Sequence, residues 1–233
     1  VDKSFTPPIP LVALIGLCVL LVLMVYFGFV RPWHLHWGAS AEEAKRAMPG
    51  DNLVAQDRIG FTQAVTIQAP VEKVWPWLVQ IGFKRAGWYS YDQIEGLLGA
   101  ADFVDGHRSA NRIVPELQDL KLGDQIAIHP AAPFTVEMVE PNRLLALAVH
   151  ADLKTNKPFD LNGPKPENFI NFSWVFMLEP VDAKTTRLIV RWRSDYTPSL
   201  GTFIGFGVFV EGGSFLMQPK MLLGLKERAE KYQ

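Results

Sequence analysis

Between Ser4 and Val30 the chain carries no charged residue, and from Pro10 to Val30 it reads PLVALIGLCVLLVLMVYFGFV. Wound as an α-helix, that stretch is roughly 30 Å long, the thickness of the hydrocarbon core of a bilayer. Pro7, Pro8 and Pro10 stand at its entry, where proline is tolerated. Tyr26, Phe27, Phe29, Trp33 and Trp37 gather at its exit, as an aromatic belt does. A signal-peptide apolar region is shorter, ~7–15 residues, and the cleavage-like Ala39-Ser40-Ala41 lies well beyond the run. We therefore expect an uncleaved single-pass membrane anchor over residues 1–31, with Cys18 packing inside it. Lys3 precedes the run while Arg31, Lys45 and Arg46 follow it, so the positive-inside tendency puts the large domain in the cytoplasm. The chain begins with Val1 rather than Met, which leaves open further residues upstream.

Composition removes several classes of function. A chain that is 48% hydrophobic and 20% charged is not disordered. Twenty-three Lys and Arg against 24 Asp and Glu give a net charge of -1, without the basic excess of a nucleic-acid binder. One cysteine excludes both a disulfide framework and a Cys-rich zinc site.

Residues 32–59 read as a connector with one short helix, opened by a capping box at Ser40 and Glu43. Gly60 to Gln68 alternates as a strand, with Phe61, Val65 and Ile67 on one face beside Gln63. Pro70 opens a helix whose Val71, Val74, Trp75 and Leu78 share a face; Pro76 should kink it and Gly82 end it. Ser90 and Gln93 form a second capping box, before a helix with Ile94, Leu97 and Leu98 as its apolar stripe. Strand-like runs follow at Gln125–His129, Phe134–Glu140, Leu144–His150, Phe169–Leu178 and Thr186–Ser194, parted by turn formers and too closely spaced for crossovers. The break from Ala151 to Asn168 is a surface loop. Thr197-Pro198 looks like a helix start, and Leu222, Leu225 and Ala229 share a face of the last helix. This order is that of an α+β fold.

Several of these segments resemble one family. The strand followed by Ala69-Pro70-Val71-Glu72-Lys73-Val74-Trp75 is similar to the opening of START-like (SRPBCC) domains, including the polyketide cyclase/dehydrase-like group. Gly87 to Asp92, Arg112 to Leu120, and Phe215 to Glu230 around Met221-Leu222-Leu223-Gly224 resemble later segments of that group; Gln218-Pro219 departs from the pattern. The resemblance covers residues 60–233. It implies a helix-grip fold: a curved antiparallel sheet around a long C-terminal helix, here preceded by a single transmembrane helix, with an apolar pocket. Family members bind lipids, sterols, polyketides or hormones, and others are cyclases or co-chaperones. No shared catalytic set carries over.

No nucleophile elbow, phosphate loop, zinc motif or dinucleotide fingerprint is present, so no catalytic residue, metal or cofactor is expected. The candidates for lining a ligand pocket are Trp88, Tyr89, Tyr91, Asp92 and Glu95, then Arg112 with Glu116, His129, Trp174, Phe176 and Trp192. Each also has a plain structural reading, as core aromatic, loop ion pair or strand-end histidine. His129 and His150 end strands that would have to meet for a metal pair. Arg187, Arg191 and Arg193 share the outer face of the last strand, either solvated or meeting lipid phosphate. Tyr26, Phe29, Trp33, Trp37, Phe203, Phe206 and Phe209 are candidates for membrane contact. The glycine-rich Ser199–Met217 stretch is the first half of the gripping helix, or lies on the bilayer, or packs on another membrane protein.

The expected function is a membrane-tethered, non-catalytic domain that holds a lipid or another hydrophobic small molecule. Two alternatives stay open: an accessory subunit docked to other membrane protein subunits, and a cyclase- or hydratase-type enzyme on a hydrophobic substrate, with Asp92, Glu95 or His129 as acid–base groups.

Overall fold

A computed structural model describes residues 11–130, 132–161 and 163–232, with the side chains of Val208 and Phe209 also outside the described set. The entry prolines Pro7, Pro8 and Pro10 lie outside it. The chain divides into two compact units, with the boundary after Leu35.

The first unit contains α1 (Leu11–Leu35), long and apolar enough by length and composition to cross a membrane, with its apolar window unburied. Its side chains are apolar on every side, so it has no polar face to turn to water. The helix widens to a π-helical turn at Tyr26–Val30. Tyr26 packs edge-on against Phe27 and near His34, while Phe29 and Trp33 point outward.

The second unit begins at His36. Helix α2 (Ala41–Lys45) opens on the expected capping box, with Glu43 N donating to Ser40 Oγ (3.1 Å) and Ser40 N donating to the Glu43 carboxylate (2.7 Å). Strand β1 (Ile59–Ile67) leads to α3 (Val71–Val79), which runs through Pro76 and buries Val74, Trp75, Trp77, Leu78 and Val79. The helix stops three residues short of the expected Gly82. That glycine, at φ +131°, instead bridges to Gly87 across a tight loop. In α4 (Asp92–Leu97) the expected capping box is absent: Tyr91 is the N-cap, and Ser90 donates to the Met217 carbonyl (3.2 Å). Only Glu95 of this short helix is buried, so the expected stripe of Leu97 and Leu98 faces outward.

Then come β2 (Gln125–His129), β3 (Ala132–Glu140), β4 (Leu144–Asp152), β5 (Lys157–Pro158), β6 (Phe169–Asp182) and β7 (Thr185–Tyr196). They form one antiparallel sheet in the order β1-β7-β6-β4-β3-β2, with β5 on β4. The strand that opens the domain therefore pairs with the strand that closes the sheet. The final helix, α5 (Leu200–Lys231), is π-helical over Phe203–Val210 and continues past Pro219. Its N-cap is Ser199 rather than Thr197; Thr197 Oγ1 donates instead to the Glu167 carbonyl (2.9 Å). Met221, Leu222, Leu225 and Ala229 are buried on its side facing β1 and α3. A long helix held against an antiparallel sheet is the helix-grip arrangement.

The sheet's other face is also covered. Met48 and Leu53 pack on Ala64, Ala146, Val175, Met177 and Ile189, which point away from α5. The three arginines on that face of β7 hold the cover in place. Arg187 Nε donates to Glu43 (2.7 Å), Arg191 Nη1 to Asp51 (2.8 Å) and Arg193 Nη2 to Asp57 (2.7 Å). Residues 36–58, expected as a connector, are thus part of the folded domain, and the arginine face is neither solvated nor free for phosphate. Burial on both faces explains why Leu144–Ala148 and Trp174–Leu178 are continuous buried runs rather than alternating ones.

Candidate functional site

Three adjacent strands place one aromatic row on the inner face. Phe61 of β1 is the register partner of Trp192 of β7, and Trp192 that of Trp174 of β6. The Phe61 and Trp192 rings are parallel within 3°, with centroids 6.0 Å apart, and Trp174 meets Trp192 edge-on at 5.6 Å. Side chains at facing positions of neighbouring strands lie close enough to pack, so the register alone builds this wall.

The opposite wall comes from the loop before α4. Trp88 stacks on Trp174 at 5.5 Å. Its position depends on backbone that most side chains avoid: Gly87 has φ +87°, and a Cβ there would lie 2.4 Å from Ser109 Oγ. Ser109 in turn donates its hydroxyl (2.6 Å) and its N–H (3.0 Å) to the two carboxylate oxygens of Asp92. Tyr89 N donates to Ser109 Oγ (3.0 Å), which ties the loop to the same anchor.

Between these walls and α5 lies a cavity of about 270 Å³. Phe61, Trp88, Trp174 and Trp192 line it from the sheet and loop, and Met217 and Met221 from α5. Leu98 is at its edge and is 64% exposed. Gln218 also reaches it, and donates from Nε2 to Gln63 Oε1 (3.1 Å).

Among the described residues lining the cavity, Glu95 alone is titratable. It is 4% exposed, and neither carboxyl oxygen has a hydrogen-bond partner. Burial in apolar surroundings first, and the nearby charge of Asp92 second, push its carboxyl up to about 7. The indole N–H groups of Trp88, Trp174 and Trp192 likewise have no partner. These polar atoms are enclosed within the walls, so the surface that the cavity itself offers is almost wholly apolar.

Of the pocket candidates, the structure brings together Trp88, Glu95, Trp174 and Trp192. The others serve the frame. The Tyr89 hydroxyl accepts from Gln80 (2.8 Å) and donates to the Trp77 carbonyl (3.2 Å), and burial pushes its phenol up. Tyr91 caps α4 beneath the ammonium of Lys220, and Asp92 is held by Ser109. Phe176 is buried beside Trp174 but outside the cavity lining. Arg112 pairs with Asp105 (2.8 Å) at the surface, not with Glu116, which is exposed. His129 is half-buried on the edge strand β2; β3 separates it from the strand of His150, so the two do not meet.

The membrane-contact candidates also divide. Tyr26, Phe29 and Trp33 belong to α1, whereas Trp37 is tied to β1 by its carbonyl, which accepts from Ala64 N (3.1 Å). Phe203 is exposed, but Phe206 is 8% exposed and stacked on Tyr196 at 4.3 Å, so it faces the domain interior. The Phe209 side chain lies outside the described residues. Phe61, Met217, Gln218 and Met221 escaped sequence reasoning. The alternation of β1 put Phe61 and Gln63 on one face, which is the signal that could have found Phe61.

The fold and site together define a helix-grip domain with an internal apolar cavity. No family model matches the chain, and no curated protein does. Solved structures similar to it include a conserved protein from Geobacillus kaustophilus, 15% identical over 74% of this chain and 96% of that one, with a TM-score of 0.39. A protein from Nitrosomonas europaea is 14% identical over 73% of this chain and 93% of its own, at 0.40. The di-domain ARO/CYC BexL from the BE-7585A biosynthetic pathway is 13% identical over 74% of this chain and 46% of its own, at 0.36. Likeness at this level says nothing of ligand or chemistry, which rest on the cavity itself.

Proposed function

We propose that this protein is a membrane-tethered domain that holds a lipid or another hydrophobic small molecule without transforming it. The cavity between the Phe61–Trp192–Trp174 row and α5 carries the proposal. Its volume, about 270 Å³, is near the lower end of ligand sites. Apolar walls contribute roughly 25 cal/mol per Å² of ligand surface they cover. The exposed Leu98 at the cavity edge suits a ligand that arrives from an apolar phase. Helix α1 supplies the anchor in this reading, with the domain on the cytoplasmic side. Tethering raises the effective concentration of membrane-dissolved ligand without any added contact.

Lipid extraction and mass spectrometry of the full chain, purified from membranes into polymer-bounded discs, test the proposal. A hydrophobic molecule retained in near-stoichiometric amount, and lost when Trp174 and Trp192 are both replaced by Ala, is expected. A protein that retains nothing, with its interior filled by its own side chains, would refute it.

Glu95 favours a second reading, acid–base chemistry on the bound molecule, because a carboxyl with a pKa of about 7 both gives and takes protons near neutrality. Of the expected acid–base candidates, Asp92 is held by Ser109 and His129 is not among the residues lining the cavity. Conversion of the recovered ligand by the native protein, but not by Glu95→Gln, would support this reading over the first.

A further inference from the structure

The surface of α5 changes character along the helix. From Leu200 to Met217 the sequence holds one charged residue, Glu211, and that side chain is turned inward and 4% exposed. The large outward side chains are apolar: Leu200, Phe203, Ile204, Phe215 and Leu216 are all exposed. Charges return only from Lys220 onward. Leu97 and Leu98, at the end of α4, are exposed too, and Leu98 lines the cavity together with Val210 and Gly213 of α5. The apolar end of α4 therefore lies beside the apolar half of α5, at the cavity edge. Exposed apolar residues elsewhere in this unit, such as Leu122, Leu153 and Val181, stand singly in the sequence, as is ordinary for a protein surface.

The start of α5 fits an apolar medium as well. Its first turn is closed by a capping box, with Thr202 N donating to Ser199 Oγ (3.1 Å) and Ser199 N donating to Thr202 Oγ1 (2.8 Å). In α2 the carboxylate of Glu43 plays the second part, whereas at α5 a neutral hydroxyl does. Two backbone N–H groups at this end are thus met without a charge, as hydrocarbon demands and water does not. A protein partner's interface carries about one hydrogen bond per 100–200 Å², and the large outward side chains of this half offer none. The second unit also begins at His36, directly after α1. A bilayer crossed by α1 is therefore held at high effective concentration next to this unit, whereas a protein partner has to be recruited.

We propose that the outward apolar face of the first half of α5, with Leu97 and Leu98, docks on the lipid bilayer, so that the cavity edge at Leu98 opens into hydrocarbon. This rests on the membrane-tethered, ligand-holding reading above. The docking orients the domain and leaves anchorage to α1.

The test uses the full chain with Cys18→Ala, reconstituted into phosphatidylcholine vesicles. Nitroxide labels are attached one at a time through Phe203→Cys, Leu216→Cys, Val181→Cys and Glu227→Cys, all at exposed positions. Collisions with oxygen, which concentrates in hydrocarbon, are compared with collisions with a water-soluble nickel chelate. Oxygen should dominate at positions 203 and 216, and the chelate at 181 and 227. Adding Phe203→Asp should return position 216 to the aqueous pattern, with circular dichroism unchanged. The chelate dominating at all four positions would overturn the inference. So would shielding of 203 and 216 from both reagents, which marks a protein surface or a second copy as the occupant. Lipid extraction of the same samples keeps the two readings apart. Ligand retained with an aqueous pattern overturns the docking alone, and an oxygen pattern without ligand overturns the ligand-holding reading alone.

Discussion

Gly224 of α5 and Tyr89 of the loop before α4 meet so closely that a Cβ built on Gly224 would lie 2.0 Å from the Tyr89 carbonyl oxygen. Backbone touches backbone there, so no side-chain rotation can relieve the clash. The contact seats the long helix against the loop that carries Trp88, and it joins the fold to the cavity wall.

Gly224→Ala is therefore expected to destabilise the domain by about 1–3 kcal/mol, the range for forced overpacking, although alanine is the better helix former. Urea unfolding of the domain measures it. The variant should also weaken ligand retention by displacing Trp88. Unchanged stability would show that α5 and the loop can separate at little cost.

Glu95 makes stability depend on pH in a defined direction. Its carboxyl rises from 4.5 to about 7 on folding, through burial and then the Asp92 charge. Below 4.5 the side chain is protonated whether folded or unfolded, and its contribution is fully present. As pH rises from there to about 7, the unfolded chain releases its proton first and the folded state loses stability; above about 7 the effect is complete. Melting temperature compared with that of Glu95→Leu should show a difference that grows across this window and then levels off. Parallel melting curves for the two proteins would contradict the buried, unpartnered carboxyl.

The cover on the sheet's outer face hangs on Arg191. Its guanidinium donates to Asp51 and to the carbonyls of Glu43 and Arg46, with only 8% of the side chain exposed. A lysine keeps the charge but cannot serve these acceptors from one planar fork. Arg191→Lys should cost about 2–3 kcal/mol, by the penalty for leaving buried groups unpaired, and should open residues 36–58 to protease. Arg143→Ala, which breaks an exposed pair with Glu140, should change stability by less than about 1 kcal/mol. Equal effects of the two substitutions would rule out the clamp.

Removal of residues 11–35 should release the protein from membranes without unfolding it, since the second unit has its own core. Alkaline carbonate extraction followed by circular dichroism checks this. Persistent membrane association would transfer the anchoring role to exposed apolar residues of α5 such as Leu200 and Phe203.

Elements with a strong local signal are legible in the amino-acid order itself. The apolar run forms α1, the capping box at Ser40 closes, and the strand-like segments fall within β2, β3, β4, β6 and β7 with ends displaced by a few residues, while the short β5 lies in the stretch expected as a surface loop. Weaker signals mislead where a distant partner competes for the same group. Ser90 has the spacing of a cap, but Met217, far along the chain, takes its hydroxyl. Arginines 187, 191 and 193 have the period of a solvated face, but Glu43, Asp51 and Asp57 fold back onto them.

Local order along the chain thus dictates which segments are helix and which are strand, and that one helix is apolar on every side, because hydrophobic period and capping act between near neighbours. Folding in three dimensions adds the rest: Phe61, Trp192 and Trp174 form one row, Trp88 faces it, and Glu95 is buried in the wall without a partner. Those relations depend on strand register and on a loop closing over it. They are set by contacts between residues more than a hundred positions apart in the case of Phe61 and Trp192, which no local pattern encodes.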